Sequence, residues 1–254
     1  MKKLAVVSAL LSVCAFSATA HAYQAEVGGS YTFTDFDNNS DTHSFGVDGT
    51  YYFKPVQTRN APLNEAAFLD RASNASAKVD YADNSGVKNS YFGAGVEVFI
   101  PDSDFYASAH AGRDELKVKN AGKNRVTTYG AEVGYLPTPG LLLALGVTGY
   151  DQKDGKDGAD PTVRAKYVTQ VGQHDMNFEA AGAFGDLDEY SVRADYYIDK
   201  TLSVGVDYYN NDLSDQDAWG ISAKKFLQQN ISVEGRIGFG DNDNTYGVRA
   251  AYRF

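Results

Sequence analysis

The charged side chains of this sequence recur along short segments in which they alternate with apolar side chains. Glu26 is followed by Val27, for example, and Arg249 is preceded by Val248. Successive side chains of a β-strand point to opposite faces, so each segment would have one charged face and one apolar face. Charged groups that line a passage select solutes by charge. The pattern therefore predicts selection of solutes rather than the making or breaking of bonds.

The candidate lining residues share a position on the charged face of their segments. They are Glu26, Asp48, Lys78, Asp80, Glu97, Glu132, Arg164, Lys166, Glu179, Arg193, Asp195, Asp207, Glu234, Arg236, Arg249 and Arg253. Acids slightly outnumber bases, which predicts a weak preference for cations. Two interpretations remain open. Facing acids and bases would set a transverse field across a water-filled channel, whereas ion pairs between strands would close the lumen.

A catalytic interpretation finds little support. After the N-terminal segment the sequence contains only His43, His110 and His174, and none belongs to a nucleophile motif. A hydrolase needs a nucleophile and a base within hydrogen-bonding reach of each other. His110 and Ser108 share a face and are predicted to face the same interior, but a lone histidine there does not indicate catalysis. We predict no catalytic residue and do not expect an enzyme.

The most polar stretch, residues 151–161, carries four aspartates that would in principle offer oxygen ligands to Ca²⁺. Their spacing does not match the D-x-[DN]-x-[DN]-G pattern of calcium-binding loops, so the stretch is interpreted as a solvated loop. No metal site and no cofactor are predicted. The formal net charge of −10 argues against nucleic acid as a partner.

Residues 1–22 are predicted to be a signal peptide. Two lysines precede a short apolar run, and Ala20-His21-Ala22 forms a cleavage site of small residues. The apolar run is too short to be a membrane helix, and the residues before Cys14 do not form a lipoprotein signal. Cleavage would leave residues 23–254 as one exported domain without cysteine, so no disulfide would stabilise it.

The last segment, residues 244–254, shows the strand pattern most clearly. One of its faces carries Tyr246, Val248, Ala250, Tyr252 and Phe254. A chain that ends on the aromatic residue of such a strand is typical of outer-membrane β-barrels, whose last strand pairs with the first and leaves no free edge. We therefore expect it to pair with the first strand, so that Arg249 and Arg253 face Glu26 and Glu234 across the seam.

Thirteen further segments repeat this design. The sequence predicts an all-β fold, a transmembrane antiparallel up-and-down β-barrel of 14 strands, with 12 as the alternative. The predicted strands are 23–34, 43–53, 74–81, 89–100, 105–117, 125–136, 141–150, 162–171, a ninth that includes 176–184, 188–198, 201–210, 216–226, 230–240 and 244–254. Their lengths are near the roughly 9–11 residues of a tilted membrane strand. Segment 141–150 is apolar on both faces and fits least well.

One connection, around residues 54–73, departs from the short turns. Its stretch 64–71 has helical composition and follows Pro62, a residue suited to the start of a helix. A short helix in a periplasmic turn is predicted, and a long turn without a helix remains the alternative.

Outward-facing aromatic residues gather at both ends of the strands. One end has Tyr51, Phe53, Phe105, Tyr135, Tyr196 and Phe254, and the other has Tyr31, Phe33, Tyr81, Phe184, Tyr208, Trp219, Phe239 and Tyr246. Two such belts are characteristic of membrane barrels, whereas a soluble sandwich concentrates its aromatics in mid-strand. The predicted outer loops are 35–42, 83–88, 118–124, 152–161, 186–187, 211–215 and 241–243, and none is long enough to fold in as a large plug.

The run Gly49-Thr-Tyr-Tyr-Phe53, followed by Ala61-Pro-Leu-Asn-Glu-Ala-Ala-Phe-Leu-Asp-Arg-Ala-Ser-Asn-Ala-Ser76, resembles the "putative porin" family of Gram-negative outer-membrane proteins. The resemblance implies a 14-stranded barrel for passive passage of water or small solutes. It also implies a structural role, as a periplasmic cap rather than a filter, for Pro62, Glu65, Phe68 and Leu69. The chain departs from the general barrel-assembly signal at Arg249, where a glycine is expected.

These observations predict an outer-membrane channel for passive diffusion of water and small hydrophilic solutes. The alternative is a non-conducting structural or adhesin-like barrel that acts through its surface loops. The expected partners are outer-membrane lipid, small hydrophilic solutes or ions, and the barrel-assembly machinery during biogenesis. The expected location is the outer membrane of a Gram-negative cell.

Overall fold

A computed structural model describes residues 22–37, 40–84, 86–119, 122–152, 155, 157–186, 188–211 and 216–254. The predicted signal peptide lies outside these residues, except for Ala22, which pairs with Gln57. The strands are β1 (Ala22–Phe36), β2 (Thr42–Gln57), β3 (Asn74–Asn84), β4 (Val87–Phe99), β5 (Phe105–Val118), β6 (Gly122–Thr138), β7 (Leu141–Gln152), β8 (Asp157–Val171), β9 (His174–Ala183), β10 (Glu189–Asp199), β11 (Leu202–Asn211), β12 (Gln216–Gln228), β13 (Ile231–Gly240) and β14 (Asp243–Arg253).

The sheet is a closed barrel in which every strand pairs with its neighbours in sequence, and β1 pairs antiparallel with β14. Their register runs from Glu26 opposite Arg253 to Phe36 opposite Asp243. Closure pairs the backbone groups that an edge strand would leave free, and lipid offers those groups no other partner. The prediction of a 14-stranded barrel is confirmed, and the alternative of 12 strands is wrong.

The two ends of the barrel differ. One end carries both ends of the described chain and residues 58–73, which we call the connection; this is the connection end. The opposite end, the loop end, has the hairpin turns that follow β1, β3, β5, β7, β9, β11 and β13.

The outer face of the barrel is apolar at alternate positions. Val133 on β6 and Leu145 on β7 lie opposite each other, and both are about two-thirds exposed. A continuous apolar surface of this extent fits lipid better than water. In the part of the chain that the structure describes, no helix is long and apolar enough to cross a membrane.

Some strands extend further toward the loop end than the sequence pattern predicts. β8 begins at Asp157, and its first residues pair with Val147–Asp151 of β7, so the predicted loop 152–161 is too long. β6 likewise begins at Gly122, within the predicted loop 118–124. The pattern fails there because a hairpin that projects beyond the lipid has water on both faces. Backbone pairing then continues without an alternation of apolar and polar side chains.

The connection turns inward and lies in the mouth of the barrel. Its only helix is α1 (Ala66–Leu69), so the helical stretch predicted for 64–71 is shorter in the structure. A single turn has little stability of its own. The connection is instead held by the wall, as when the Leu63 amide donates to the Lys200 carbonyl oxygen at 2.8 Å.

Two small apolar clusters hold the connection against the wall. The first contains Tyr23, Tyr52, Val56, Ala66 and Ala72, and in the second Phe68 packs against Phe99, Tyr106, Leu136 and Leu142. The second cluster explains why β7 is apolar on both faces. Leu143 faces lipid while Leu142 faces the buried connection, so neither side of the strand contacts water at that end.

Candidate functional site

The lumen-facing side of the seam joins four of the candidate charges. Arg249 Nε donates to Asp48 Oδ1 at 2.9 Å, and Arg249 Nη2 donates to Glu26 Oε1 at 3.0 Å. Arg253 Nε donates to Glu26 Oε2 at 2.6 Å. Both arginines thus face Glu26 as expected. Glu234 also lies directly opposite Arg249 in the strand register, as expected, but the only ion pair described for its side chain is with Lys224, whose Nζ lies 3.6 Å from Glu234 Oε2.

Arg253 is nearly buried, with 5 % of its side chain exposed. Its guanidinium carbon lies 4.4 Å from the ring centroid of Tyr23 and 4.5 Å from that of Phe226. Nη1 also donates to the Leu63 carbonyl oxygen at 2.9 Å. A planar guanidinium suits this site because it can stack on rings while its edge donates hydrogen bonds. Arg253 therefore links the seam to the connection.

A second group of charges lies on β10, β11 and β13. Arg193 Nη2 donates to Asp195 Oδ1 at 2.7 Å, and Arg193 Nη1 lies 3.9 Å from Asp207 Oδ1. Arg236 also pairs with Asp207. The buried amide of Asn177 donates to Asp195 Oδ2 at 3.0 Å. These bonds cross several strands and tie the lumen face of this wall together.

A third group joins β4, β5, β6 and β8. Arg164 pairs with Glu132, and Arg164 Nη2 donates to the Tyr106 hydroxyl at 2.9 Å. That hydroxyl donates to Glu97 Oε1 at 2.8 Å. The remaining candidates on β3 form a separate pair, in which Lys78 Nζ lies 2.9 Å from Asp80 Oδ2.

Glu65 of the connection contacts strands on the far side of the barrel. Its Oε2 lies 2.8 Å from Lys166 Nζ on β8, and its Oε1 accepts from the Tyr197 hydroxyl on β10 at 2.5 Å. Lys166 Nζ also donates to Glu179 Oε1 at 2.7 Å. The connection leaves β2, which lies opposite β8–β10 in the ring of strands. The segment therefore crosses the mouth.

The other residues of the family motif also contact the wall or are buried. Pro62 is fully buried, and Phe68 packs edge-on against Phe99 while Lys166 Nζ lies 5.1 Å from the Phe68 ring centroid. Leu69 lies beside Gly140, whose φ is +83°. A Cβ at Gly140 would lie 2.3 Å from the Val168 carbonyl oxygen, so that turn requires glycine.

Beyond the connection the lumen contains a chamber of about 760 Å³. Asn64, Glu65 and Phe68 form its floor, and charges such as Arg193 and Lys224 lie on one wall. The other wall is rich in hydroxyl groups and includes Thr50, Ser76, Ser108, His110, Thr148 and Thr162. Polar walls of this kind suit water and small hydrophilic solutes.

Sequence reasoning missed several lumen residues. Lys224 could have been found, because the outward positions of Trp219 and Ile221 make the even-numbered positions of β12 face inward. The sequence carries no signal that the Tyr106 and Tyr197 hydroxyls bond to carboxylates. Ser108 lies in the chamber beside His110 but donates to Glu132 Oε1 at 3.0 Å. Among the described residues, no group of three or more His, Cys, Asp or Glu side chains is arranged to hold a metal ion.

A closed barrel with an apolar outer face, a charged inner face and a polar chamber defines a channel protein of the outer membrane. The family model described as "putative general bacterial porin" matches residues 1–162 and 159–254. The chain belongs to this family, which confirms the resemblance of its 49–76 region. Proteins of this family and fold are channels rather than enzymes, and they imply the outer membrane as the location.

Several solved structures are similar to this chain, and the first two described here share its fold. Omp33, an outer membrane protein of Acinetobacter baumannii, is 28 % identical, with a TM-score of 0.74 over 93 % of this chain and 100 % of that one. A TodX deletion mutant, a monoaromatic hydrocarbon channel, is 10 % identical, with a TM-score of 0.56 over 92 % and 91 % of the two chains. The KdgM porin in complex with disordered oligogalacturonate is 12 % identical, with a TM-score of 0.49 over 89 % and 99 %. A comparison with curated proteins gave no match.

Proposed function

We propose that this channel passes water and small hydrophilic solutes or ions passively, and that the connection controls one of its mouths. The observation that carries the proposal is the contact between Glu65 of the connection and Lys166 of the far wall. A segment held across an opening by a few ion pairs, a few hydrogen bonds and two small apolar clusters would widen the passage if it moved.

In the proposed orientation the connection end faces the periplasm and the loop end faces the outside. Export by the signal peptide 1–22 and insertion by the barrel-assembly machinery would precede folding in lipid. The candidate charges, from Glu26 at the seam to Lys166 on β8, would line the conduit and give a weak preference for cations. The chain would carry out no catalysis.

The alternative is a non-conducting barrel that acts through its loops as a structural or adhesin-like protein. The extensive pairing of lumen charges favours it, because cross-strand ion pairs can hold a lumen closed. The chamber of about 760 Å³ favours the channel.

The test is planar-bilayer conductance of the refolded protein, its Lys166→Met variant and its Lys224→Met variant. The two lysines are matched, because 15 % of each side chain is exposed and each is paired with an acid. Lys224 pairs with Glu234 within the wall, whereas Lys166 holds the connection. Loss of Lys166 leaves Glu65 without its cation in a buried site, a change that costs about 3–5 kcal/mol.

We expect Lys166→Met to raise the single-channel conductance or the open fraction, and Lys224→Met to leave the open fraction unchanged. Equal behaviour of the two variants would mean that the connection does not control the mouth. A folded, heat-modifiable barrel without conductance steps in any of the three proteins would support the non-conducting alternative.

A further inference from the structure

The outer face of the barrel carries a cluster of cations at the loop end of β4, β5 and β6. Its members, which we call the basic patch, are Lys88, Arg113, Lys117, Lys123 and Arg125. Lys88 lies opposite Lys117, and Lys117 lies opposite Lys123. The register of these strands has no shift, so the patch shares the outward face of Phe92 and Tyr129.

The basic patch begins level with the lipid-facing Phe92, which lies opposite Arg113, and continues beyond Tyr129 toward the loop end. Tyr129 lies opposite Ala111, and Arg113 is two residues further along β5, about 7 Å at 3.3 Å per residue. Arg125 is four residues beyond Tyr129 on β6, about 13 Å along the strand. The tilt of membrane strands reduces these heights to roughly 5 and 10 Å above Tyr129. From there the long lysine and arginine side chains can extend to the lipid headgroups.

The patch contains more cations than the nearby carboxylates neutralise. Glu115 is shared by three of them, with Lys117 Nζ at 2.8 Å, Lys123 Nζ at 3.4 Å and Arg125 Nε at 2.7 Å. Lys88 Nζ lies 3.7 Å from Asp83. Among the described residues, no carboxylate lies within salt-bridge distance of Arg113. Two acids thus pair with four of the five cations, in a chain whose formal net charge is −10.

The arrangement of the cations also suggests an external anion. Like charges directly opposite each other on neighbouring strands are destabilising, and Lys88, Lys117 and Lys123 form such a row. The loop end does not carry cations all round. On the outward face of β11 and β12 the corresponding region has Asp217, which accepts hydrogen bonds from Tyr208 and Asn210.

We propose that the basic patch binds the phosphate groups of lipid A, the phosphorylated glycolipid of the outer leaflet. Lysine and arginine form short, charge-assisted hydrogen bonds with phosphate oxygens, and each cation near an anionic membrane surface adds to the attraction. The proposal rests on the orientation given above for the proposed function, and it does not depend on conduction.

The test measures binding of bisphosphorylated lipid A to the full-length mature protein in detergent by native mass spectrometry. The variant is Lys117→Gln/Lys123→Gln. The matched control is Lys200→Gln/Lys225→Gln, two lysines at the connection end with similar exposure. We expect the first variant to bind lipid A about thirtyfold more weakly, at about fivefold per lysine. The control should bind like wild type.

Two further arms identify the source of the phosphate. Dephosphorylated lipid A should bind to wild type more weakly than bisphosphorylated lipid A. This comparison uses only the wild-type protein, so it tests recognition of the phosphate groups even if the variant does not fold. Millimolar inorganic phosphate should not displace lipid A. Equal binding of both forms of lipid A, an equal loss in the control variant, or displacement by free phosphate would each overturn the proposal. A wild-type protein that binds lipid A but does not conduct would overturn the proposed conduction alone.

Discussion

Arg253 shows how a single side chain can connect separate parts of the barrel. It lies on the closing strand, stacks between two aromatic rings, pairs with Glu26 of the first strand and donates to the backbone of the connection. A buried arginine is stable only when its donors and its charge are satisfied together. The side chain therefore couples closure of the seam to the position of the connection.

We expect Arg253→Met to lower the stability of the folded barrel by about 3 kcal/mol, in the range for breaking a buried ion pair. Arg253→Lys keeps the charge but loses the planar guanidinium, so its stability should lie between that of Arg253→Met and that of wild type. The measurement is the temperature at which the folded band converts to the unfolded band on a gel. Arg236→Met is the control, because Arg236 is more exposed and Arg193 also serves its partner Asp207. Equal melting of Arg253→Met and wild type would contradict this account.

The strands act through their alternation, which gives each of them a lipid face, a lumen face and aromatic residues near its ends. Trp219 lies on the lipid face of β12 near the loop end, with 61 % of the residue exposed, and its ring is tilted against that of Tyr208 with the centroids 4.6 Å apart. Indole rings favour the interface between hydrocarbon and headgroups, because one end of the ring is apolar and the other donates a hydrogen bond.

The chain contains one tryptophan, so its depth can be measured without mutation. In vesicles of brominated phospholipids we expect Trp219 fluorescence to be quenched more by bromines near the headgroup than by bromines near the bilayer centre. Aqueous iodide should quench it only weakly, which serves as the control. Strongest quenching at the centre of the bilayer, or strong quenching by iodide alone, would show that this aromatic residue does not belong to an interfacial belt.

The whole barrel depends on closure between its first and last strands. Beyond the last β1–β14 residue pair, the amides of Gln24 and Ala25 donate to the Phe254 carbonyl oxygen at 2.8 and 2.9 Å, and the Phe254 amide donates to Ala25 at 2.9 Å. In lipid these groups have no water to bond instead. The end of the chain therefore contributes its backbone as well as its aromatic ring.

Deletion of Phe254 should lower the yield and the rate of folding into lipid vesicles, because three backbone hydrogen bonds at the seam would be lost, each worth about 1 kcal/mol. Phe254→Leu keeps these bonds and should fold nearly as well as wild type without assembly machinery. The folded fraction is read from the gel shift. If Phe254→Leu were as defective as the deletion, the ring rather than the backbone would be what closes the seam.

The sequence by itself indicated the strands and their faces, and it favoured 14 strands over 12. Alternation of Val and Glu or Tyr and Arg reports which side of a strand meets lipid, because a bilayer imposes one apolar environment on every strand. The alternation did not predict the strand bounds where the strands leave the bilayer. The first residues of β6 and β8 project into water on both faces, so nothing in the pattern distinguishes a paired hairpin there from a loop.

Only the tertiary structure decided which charges pair and which segment enters the lumen. Glu65 meets Tyr197 across 132 positions of sequence, and Arg249 meets Asp48 across 201. Such contacts depend on the register of every intervening strand and on closure of the ring, and local alternation records neither. The sequence indicated charges inside a barrel and a structural role for Glu65 and Phe68. The folded barrel turned that segment inward across the mouth, because a ring of this size leaves space that the wall side chains do not fill.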